Sequence, residues 1–135
     1  MISPVDIDTL ARTIYGEARG EDDYGKRLVG YVMLNRWRTK YRGCRSIKEV
    51  CHDPYQFSCW NAKDPNRQKL IDTDYMNRVL MLCLLTAGQC VIDTNPLTAT
   101  TRHYYAKSMP RPPFWARGHT PIVEHGRHLF FEGIA

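Results

Sequence analysis

Residues 10 to 21 read Leu-Ala-Arg-Thr-Ile-Tyr-Gly-Glu-Ala-Arg-Gly-Glu, an apolar helical repeat that runs into two glycines flanking one carboxylate. Leu10, Ile14 and Ala18 recur at four-residue spacing and stack on one helix face, which therefore has to be buried. Ser3-Pro4 supplies an N-cap and a first helical residue, and Asp6 suits the first turn, so the helix is predicted to start near Pro4. Gly16 and Gly20 weaken the helix around Glu17 and predict its end close by. A carboxylate at the end of a buried helix can face a cleft through a partly apolar wall. Such a wall disfavours the charged form and raises the pKa, as a general acid requires. The competing reading of Glu17 is a solvated glutamate in a last helical turn.

A chain of 135 residues is expected to be one domain, residues 1–135, with enough length for a single core. Its 43% hydrophobic and 24% charged residues match a soluble globule. The longest apolar run, Val79 to Ala87, falls well short of the ~20 residues of a membrane span, so no stable membrane insertion is expected. Met-Ile-Ser-Pro-Val-Asp at the start lacks the basic-then-apolar order of a signal peptide, which predicts synthesis in the cytoplasm without one. A net charge of +5 predicts attraction to anionic polymers such as those of a cell envelope. There is no arginine-rich block, phosphate-binding glycine loop or RNP-like aromatic motif, so nucleic acid is not an expected partner. Five cysteines, at 44, 51, 59, 83 and 90, form no Cys-x-x-Cys pair and no zinc-finger spacing. Cys83 reads as a small core residue. Cys44, Cys51 and Cys59 fall in a loop-rich middle and are open to pairing.

The hydrophobic pattern predicts a second helix from about Asp23 to Arg38, with Leu28, Val32 and Asn35 or Arg36 on one face and Val29, Met33 and Trp37 on the next. Ser46-Ile-Lys-Glu49 is a capping-box pattern for a short helix to Cys51. Pro54 to Pro65 reads as a loop. Thr73 or Asp74 is expected to cap a third major helix carrying Met76, Val79, Leu80, Cys83, Leu84 and Ala87, with Gly88 as its C-cap. Its apolar character on most sides predicts that it is the buried one. Asn95-Pro96 marks a turn, and Thr100 to Ala106 and His128 to Phe131 are expected to pair as a small antiparallel sheet. Three prolines between Ser108 and Gly118 forbid regular structure there. The fold class is then α+β, mainly helical with a small antiparallel β element.

After the Tyr-Gly-Glu-Ala-Arg-Gly-Glu segment come Gly25-Lys-Arg-Leu-Val-Gly-Tyr-Val-Met-Leu-Asn-Arg36, Pro54-Tyr-Gln-Phe-Ser-Cys-Trp60, His103-Tyr-Tyr105, Pro113-Phe-Trp115 and Gly126-Arg-His-Leu-Phe-Phe131. This series, in this order, resembles the SleB/CwlJ-type cell-wall hydrolases, which include spore cortex-lytic enzymes and some phage endolysins. The resemblance covers roughly Ile7 to Phe131. It implies a lysozyme-like catalytic domain that cleaves peptidoglycan glycan strands, with the family's glutamate matching Glu17; some members are lytic transglycosylases. Asn35, Gln56, Phe57 and Ser58 match recurring positions of the family. The chain departs from the pattern at Ala99-Thr-Thr-Arg, where a glycine-containing turn is more usual, and in its cysteine-rich middle.

Glycosidic cleavage needs a proton donor for the leaving oxygen and a way to manage an oxocarbenium-like centre. Glu17 is the candidate donor. Glu21, Asp22 and Asp23 are the nearest further carboxylates, although Asp22 and Asp23 suit the positive end of the second helix. A lytic transglycosylase needs no second carboxylate, because the sugar's own 6-hydroxyl attacks. Sugar rings present flat C–H faces, which Tyr55, Phe57, Trp60, Tyr104, Tyr105 and Trp115 can match. Asn35, Gln56 and Ser58 can bond N-acetyl and hydroxyl groups. The expected substrate-binding set is therefore Glu21, Asn35, Gln56, Phe57, Ser58, Trp60, His103, Tyr104, Tyr105 and Trp115. Against it stands a packing role for Phe57, Tyr105 and Trp115, and a loop-bonding role for Asn35.

Rival chemistries have weaker support. His103, His119, His125 and His128 suggest a zinc amidase, but no His-Glu-x-x-His pattern is present, and His125 and His128 read as opposite faces of one strand. Cys59 with His103 or His128 would make a peptidase, yet no helix start activates the thiol. A non-catalytic wall-binding module is the non-enzymatic alternative. The expectation is a monomeric phage-type endolysin. It is made in the host cytoplasm and acts on peptidoglycan after release, as a lytic transglycosylase with Glu17 as acid and base. No metal or cofactor is expected, and a muramidase with a second carboxylate is the alternative.

Overall fold

A computed structural model of the chain describes residues 1–54 and 56–135; Tyr55, expected among the cleft aromatics, lies outside the described residues. Helix α1 spans Pro4–Ala18. Ser3 Oγ accepts from the Asp6 N–H at 3.2 Å and Asp6 Oδ2 accepts from the Ser3 N–H at 3.0 Å, a closed capping box. Helix α2 spans Asp23–Arg38, the bounds expected, and Asp22 caps it by accepting from Gly25 N–H at 2.8 Å. Helix α3, Ile47–His52, starts at Ser46, whose hydroxyl accepts from Glu49 N–H. The return bond of the expected box is displaced by one residue, since Glu49 Oε2 takes the Arg45 N–H at 2.7 Å.

The region after Pro54 corrects two expectations. A short helix α4, Asn66–Asp72, precedes the long apolar one. Helix α5 spans Arg78–Ile92 and is capped by Asn77 rather than Thr73 or Asp74. Asp74 instead closes a turn by accepting from Met76 N–H, and Met76 stands outside the helix and exposed. Gly88 lies within α5, which runs on to Ile92. The helix packs on α1 and α2 along one stripe only, Leu80, Cys83, Thr86, Ala87 and Cys90. Val79, Met81, Leu82, Leu85 and Ile92 are exposed, so apolarity on most sides does not make it the buried helix. That position belongs to α2, buried continuously from Leu28 to Arg36.

Strands β1 (Thr101–Ala106), β2 (Val123–His125) and β3 (His128–Glu132) form an antiparallel sheet in the order β1-β3-β2. The β1–β3 pairing was expected; β2, three residues long, was not. His125 and His128 are therefore cross-strand partners in a hairpin, on the same face, and not alternate positions of one strand. Tyr104 pairs with Phe130, and their face packs on the main core of α1, α2, α3 and α5. The opposite face carries Tyr105, Leu129 and Phe131, which pack with Trp115, Ala116 and Ile134 in a second small cluster. All five cysteines are buried and free, so Cys44, Cys51 and Cys59 are core residues and not bridge partners. Burial pushes the Cys51 thiol up to about 12. Among the described residues no helix is long and apolar enough to cross a membrane.

Candidate functional site

α1 ends one residue past Glu17, and a groove of about 490 Å³ opens there between the helix end, the 3-10 turn Ser58–Trp60, β1 and the loop after it. Glu17, Arg36, Gln56, Phe57, Ser58, Tyr104, Tyr105, Trp115 and His128 border it. A depression of similar size, about 510 Å³, lies by Trp37, Lys40, Gly43 and Arg45 and holds no acid or nucleophile.

Gly16 lets this wall form. A Cβ there would stand 2.7 Å from Cys59 Cβ and 2.8 Å from its Sγ, so only glycine allows the turn carrying Cys59 to seat on α1 beside Glu17. Trp60 fastens the same turn through an indole N–H donated to Thr13 Oγ1 at 2.8 Å. Glu17 is partly buried, and Tyr104 donates its hydroxyl to Glu17 Oε1 at 2.6 Å. Burial pushes the Glu17 carboxyl above its usual range; contacts with Tyr104 and Cys59 favour the carboxylate and offset part of the rise. Burial and the neighbouring Glu17 hold the Tyr104 phenol well above its ordinary value, so it stays a donor. A carboxylic acid that keeps its proton at the rim of a groove can protonate a leaving oxygen.

At the other end sits Arg36, a groove residue the sequence reading did not single out. Its guanidinium lies 5.0 Å from the ring centroids of both Tyr41 and Phe57. Its Nε donates to Arg102 O at 2.7 Å and its Nη1 to Gln56 Oε1 at 3.0 Å. Because Gln56 Oε1 is taken, Gln56 offers the groove its amide N–H groups, donors for a carbonyl or hydroxyl oxygen. The available signal was an arginine on the buried stripe of an apolar helix, one turn after Val32.

Of the expected binding residues, the structure brings Gln56, Phe57, Ser58, Tyr104, Tyr105 and Trp115 onto the groove with Glu17. Phe57 forms its floor at 2% exposure, and Trp115 packs on Phe131 at 5.3 Å while still reaching the rim. Three others are corrected. Asn35 is buried and spends its amide on Thr98 O and Thr101 O, accepting in turn from Asn95, which ties α2 to the entry of β1. Trp60 points away into a small depression with His52 and Pro54. His103 alternates with Tyr104 along β1, so it faces the other side of the sheet; there its Nε2 meets the Tyr41 hydroxyl at 3.0 Å, and burial pushes its pKa down to about 4. Glu21 borders a smaller adjoining depression with Glu17 and His128, its Oε1 accepting from Arg127 N–H at 2.9 Å. Among the described residues no group of three or more His, Cys, Asp or Glu side chains is arranged to hold a metal ion.

Comparisons with known proteins give the chain a family and a fold. The family described as Cell Wall Hydrolase matches residues 20–131, a span that begins just after Glu17. A curated relative, cell wall hydrolase CwlJ of Bacillus subtilis (strain 168), is 38% identical over 55 residues, 38% of this chain and 39% of that protein. The match thus spans about two fifths of the relative's length. The catalytic domain of the germination-specific lytic transglycosylase SleB from Bacillus anthracis superposes with a TM-score of 0.74 at 22% identity, over 96% of each chain. That of Bacillus cereus SleB gives 0.76 at 23%, over 98% of this chain and 93% of that one. The lysozyme-like α+β class expected from the sequence is the class of these neighbours.

Proposed function

Since the chain belongs to the SleB/CwlJ-type cell wall hydrolase family, we propose that it cleaves the glycan strands of peptidoglycan as a lytic transglycosylase, with Glu17 as general acid and then base. One observation carries this choice: among the described residues that border the main groove, Glu17 is the sole carboxylate. A muramidase would place a second carboxylate across the scissile bond. Glu21, which borders the adjoining depression, is engaged by Arg127 N–H and faces His128.

In this mechanism the glycan lies along the groove with sugar faces against Tyr105 and Trp115. Gln56 donates to an acceptor on the sugar, fixing its register. The Glu17 carboxylic acid protonates the leaving oxygen as the C1–O bond breaks. Tyr104 stabilises the carboxylate that results. The 6-hydroxyl of the same sugar then closes on C1, giving a 1,6-anhydro end. The proposal includes the setting inferred from the sequence, a monomeric phage-type endolysin made in the host cytoplasm. The net charge of +5 supports attraction to anionic envelope polymers. Mass spectrometry of digested peptidoglycan tests the reaction: anhydro-muropeptides are expected. Reducing-end muramic acid would make it a muramidase, and free stem peptides would overturn glycan cleavage.

A further inference from the structure

The positive charge of the chain is concentrated in one stretch. Residues 36–48 hold Arg36, Arg38, Lys40, Arg42, Arg45 and Lys48 and no acid, against a net charge of +5 for the whole chain, so the remainder is close to neutral. Two of these cations are engaged: Arg36 donates to Gln56 and Arg102 O in the groove wall, and Arg42 Nε pairs with Asp53 Oδ2 at 2.5 Å. Among the described residues the other four make no salt bridge. Lys40 and Arg45 flank the depression of about 510 Å³ that Trp37 and Gly43 complete. Glu49, the next acid in the sequence, turns its Oε2 to the Arg45 N–H at 2.7 Å and does not line the depression. The Trp37 indole N–H donates to Arg45 O at 3.3 Å, and its ring packs on the core while staying partly exposed. A pinned aromatic ring therefore stands between two free cations.

The backbone pays for this loop. Lys40, just past the Thr39 cap of α2, has φ +52°, and Arg42 has φ +54°. Left-handed backbone is disfavoured for any residue with a Cβ, and the position after a helix cap usually takes glycine. A lysine held there, with no ionic partner in the fold, points to a task outside the fold. The loop also adjoins the groove, because Tyr41, the residue after Lys40, lies under the guanidinium of Arg36 at 5.0 Å.

We propose that the depression of Trp37, Lys40 and Arg45 is a second binding site, for a phosphate-bearing saccharide of the cell envelope. The sugar face lies against Trp37, and the phosphate oxygens take the Lys40 point charge and the Arg45 fork. A neutral glycan would leave both cations unused. Surfaces that hold single-stranded nucleic acid offer successive stacking rings, and this depression has one. The choice of an envelope ligand rests on the wall-directed reading above. Occupancy of this site keeps the groove beside the wall and raises the effective concentration of glycan there.

The test is equilibrium binding to two probes, a glycosylated polyol-phosphate wall polymer and the phosphorylated core oligosaccharide of lipopolysaccharide, each against its phosphate-free counterpart. The probe that binds identifies the source. Its phosphorylated form is expected to bind ~10-fold tighter than the phosphate-free one, and Lys40→Gly and Arg45→Gln should each weaken it ~10-fold. Lys69→Gln removes the same charge from an exposed position of α4 and should stay within ~2-fold of the parent. Lys40→Gly relaxes a left-handed position, so it should melt no lower than the parent, which separates lost binding from lost folding. Equal weakening by Lys69→Gln would reduce the site to diffuse net charge and overturn the proposal. So would no preference for the phosphorylated probes, or single-stranded DNA bound as tightly through the same residues. On phosphate-free glycan strands Lys40→Gly should turn over at the parent's rate, and the parent's products on those strands decide the glycan-cleaving reading separately.

Discussion

Glu17 and Glu21 are four residues apart, yet α1 stops at Ala18, between them, and they meet opposite surroundings. Glu17 is enclosed by the Cys59 turn and the Tyr104 ring, and burial raises its pKa. Glu21 turns to the β2–β3 hairpin, where a main-chain N–H and an imidazole receive it. The same side chain becomes a proton donor in one place and an anchor for the hairpin in the other, because of what packs around it.

The largest expected effect breaks the first half of that contrast. Glu17→Gln should lower wall-clearing activity by ~10²–10⁴-fold or more in a folded protein. Its stability should move the other way. A carboxyl with a raised folded pKa stabilises the fold only in acid and loses that contribution as pH rises through the raised value, so Glu17→Gln should melt at a higher temperature than the parent at neutral pH. Tyr104→Phe removes a bond to the carboxylate. Activity should fall ~10-fold, and the alkaline limb of the pH profile should move up, since that bond holds the Glu17 pKa down. Gln56→Ala should cost about 1 kcal/mol of transition-state binding, ~5-fold in kcat/KM, with the melting temperature unchanged. Tyr105→Ala should lower both turnover and stability, because the ring also stacks on Phe131. The smallest effect sharpens the reading that a carboxyl group carries the chemistry: prolonged EDTA treatment should leave activity intact, checked by turbidity assay with and without added zinc.

Much of the fold was legible in the sequence where short-range rules dominate. Ser3-Pro4 and Asp22 mark the starts of α1 and α2, and these caps act within three residues. Burial of α5 was misjudged because it depends on which faces have neighbours, and α1 and α2 cover one stripe of it. α4 and β2 are too short for periodicity to register. At the site, Glu17 and the Gln56–Ser58 segment were identified, because glycines and a polar-aromatic loop announce an opening. Asn35 and His103 were overassigned for one reason: a polar side chain in an apolar context reads alike whether it serves a ligand or a neighbouring part of the fold, here the carbonyl of Thr98 for Asn35 and the Tyr41 hydroxyl for His103. Arg36 and His128 were missed as groove residues because their roles depend on partners 20 and 107 positions away, Gln56 and Glu21.

The proton on Glu17 is the centre of this account, and the most direct measurement is a titration of its side-chain carboxyl by carbon-13 NMR in the intact protein. The account predicts a midpoint above the ordinary 4.5, coincident with the alkaline limb of activity. A midpoint at or below 4.5, with activity persisting well above it, would contradict it.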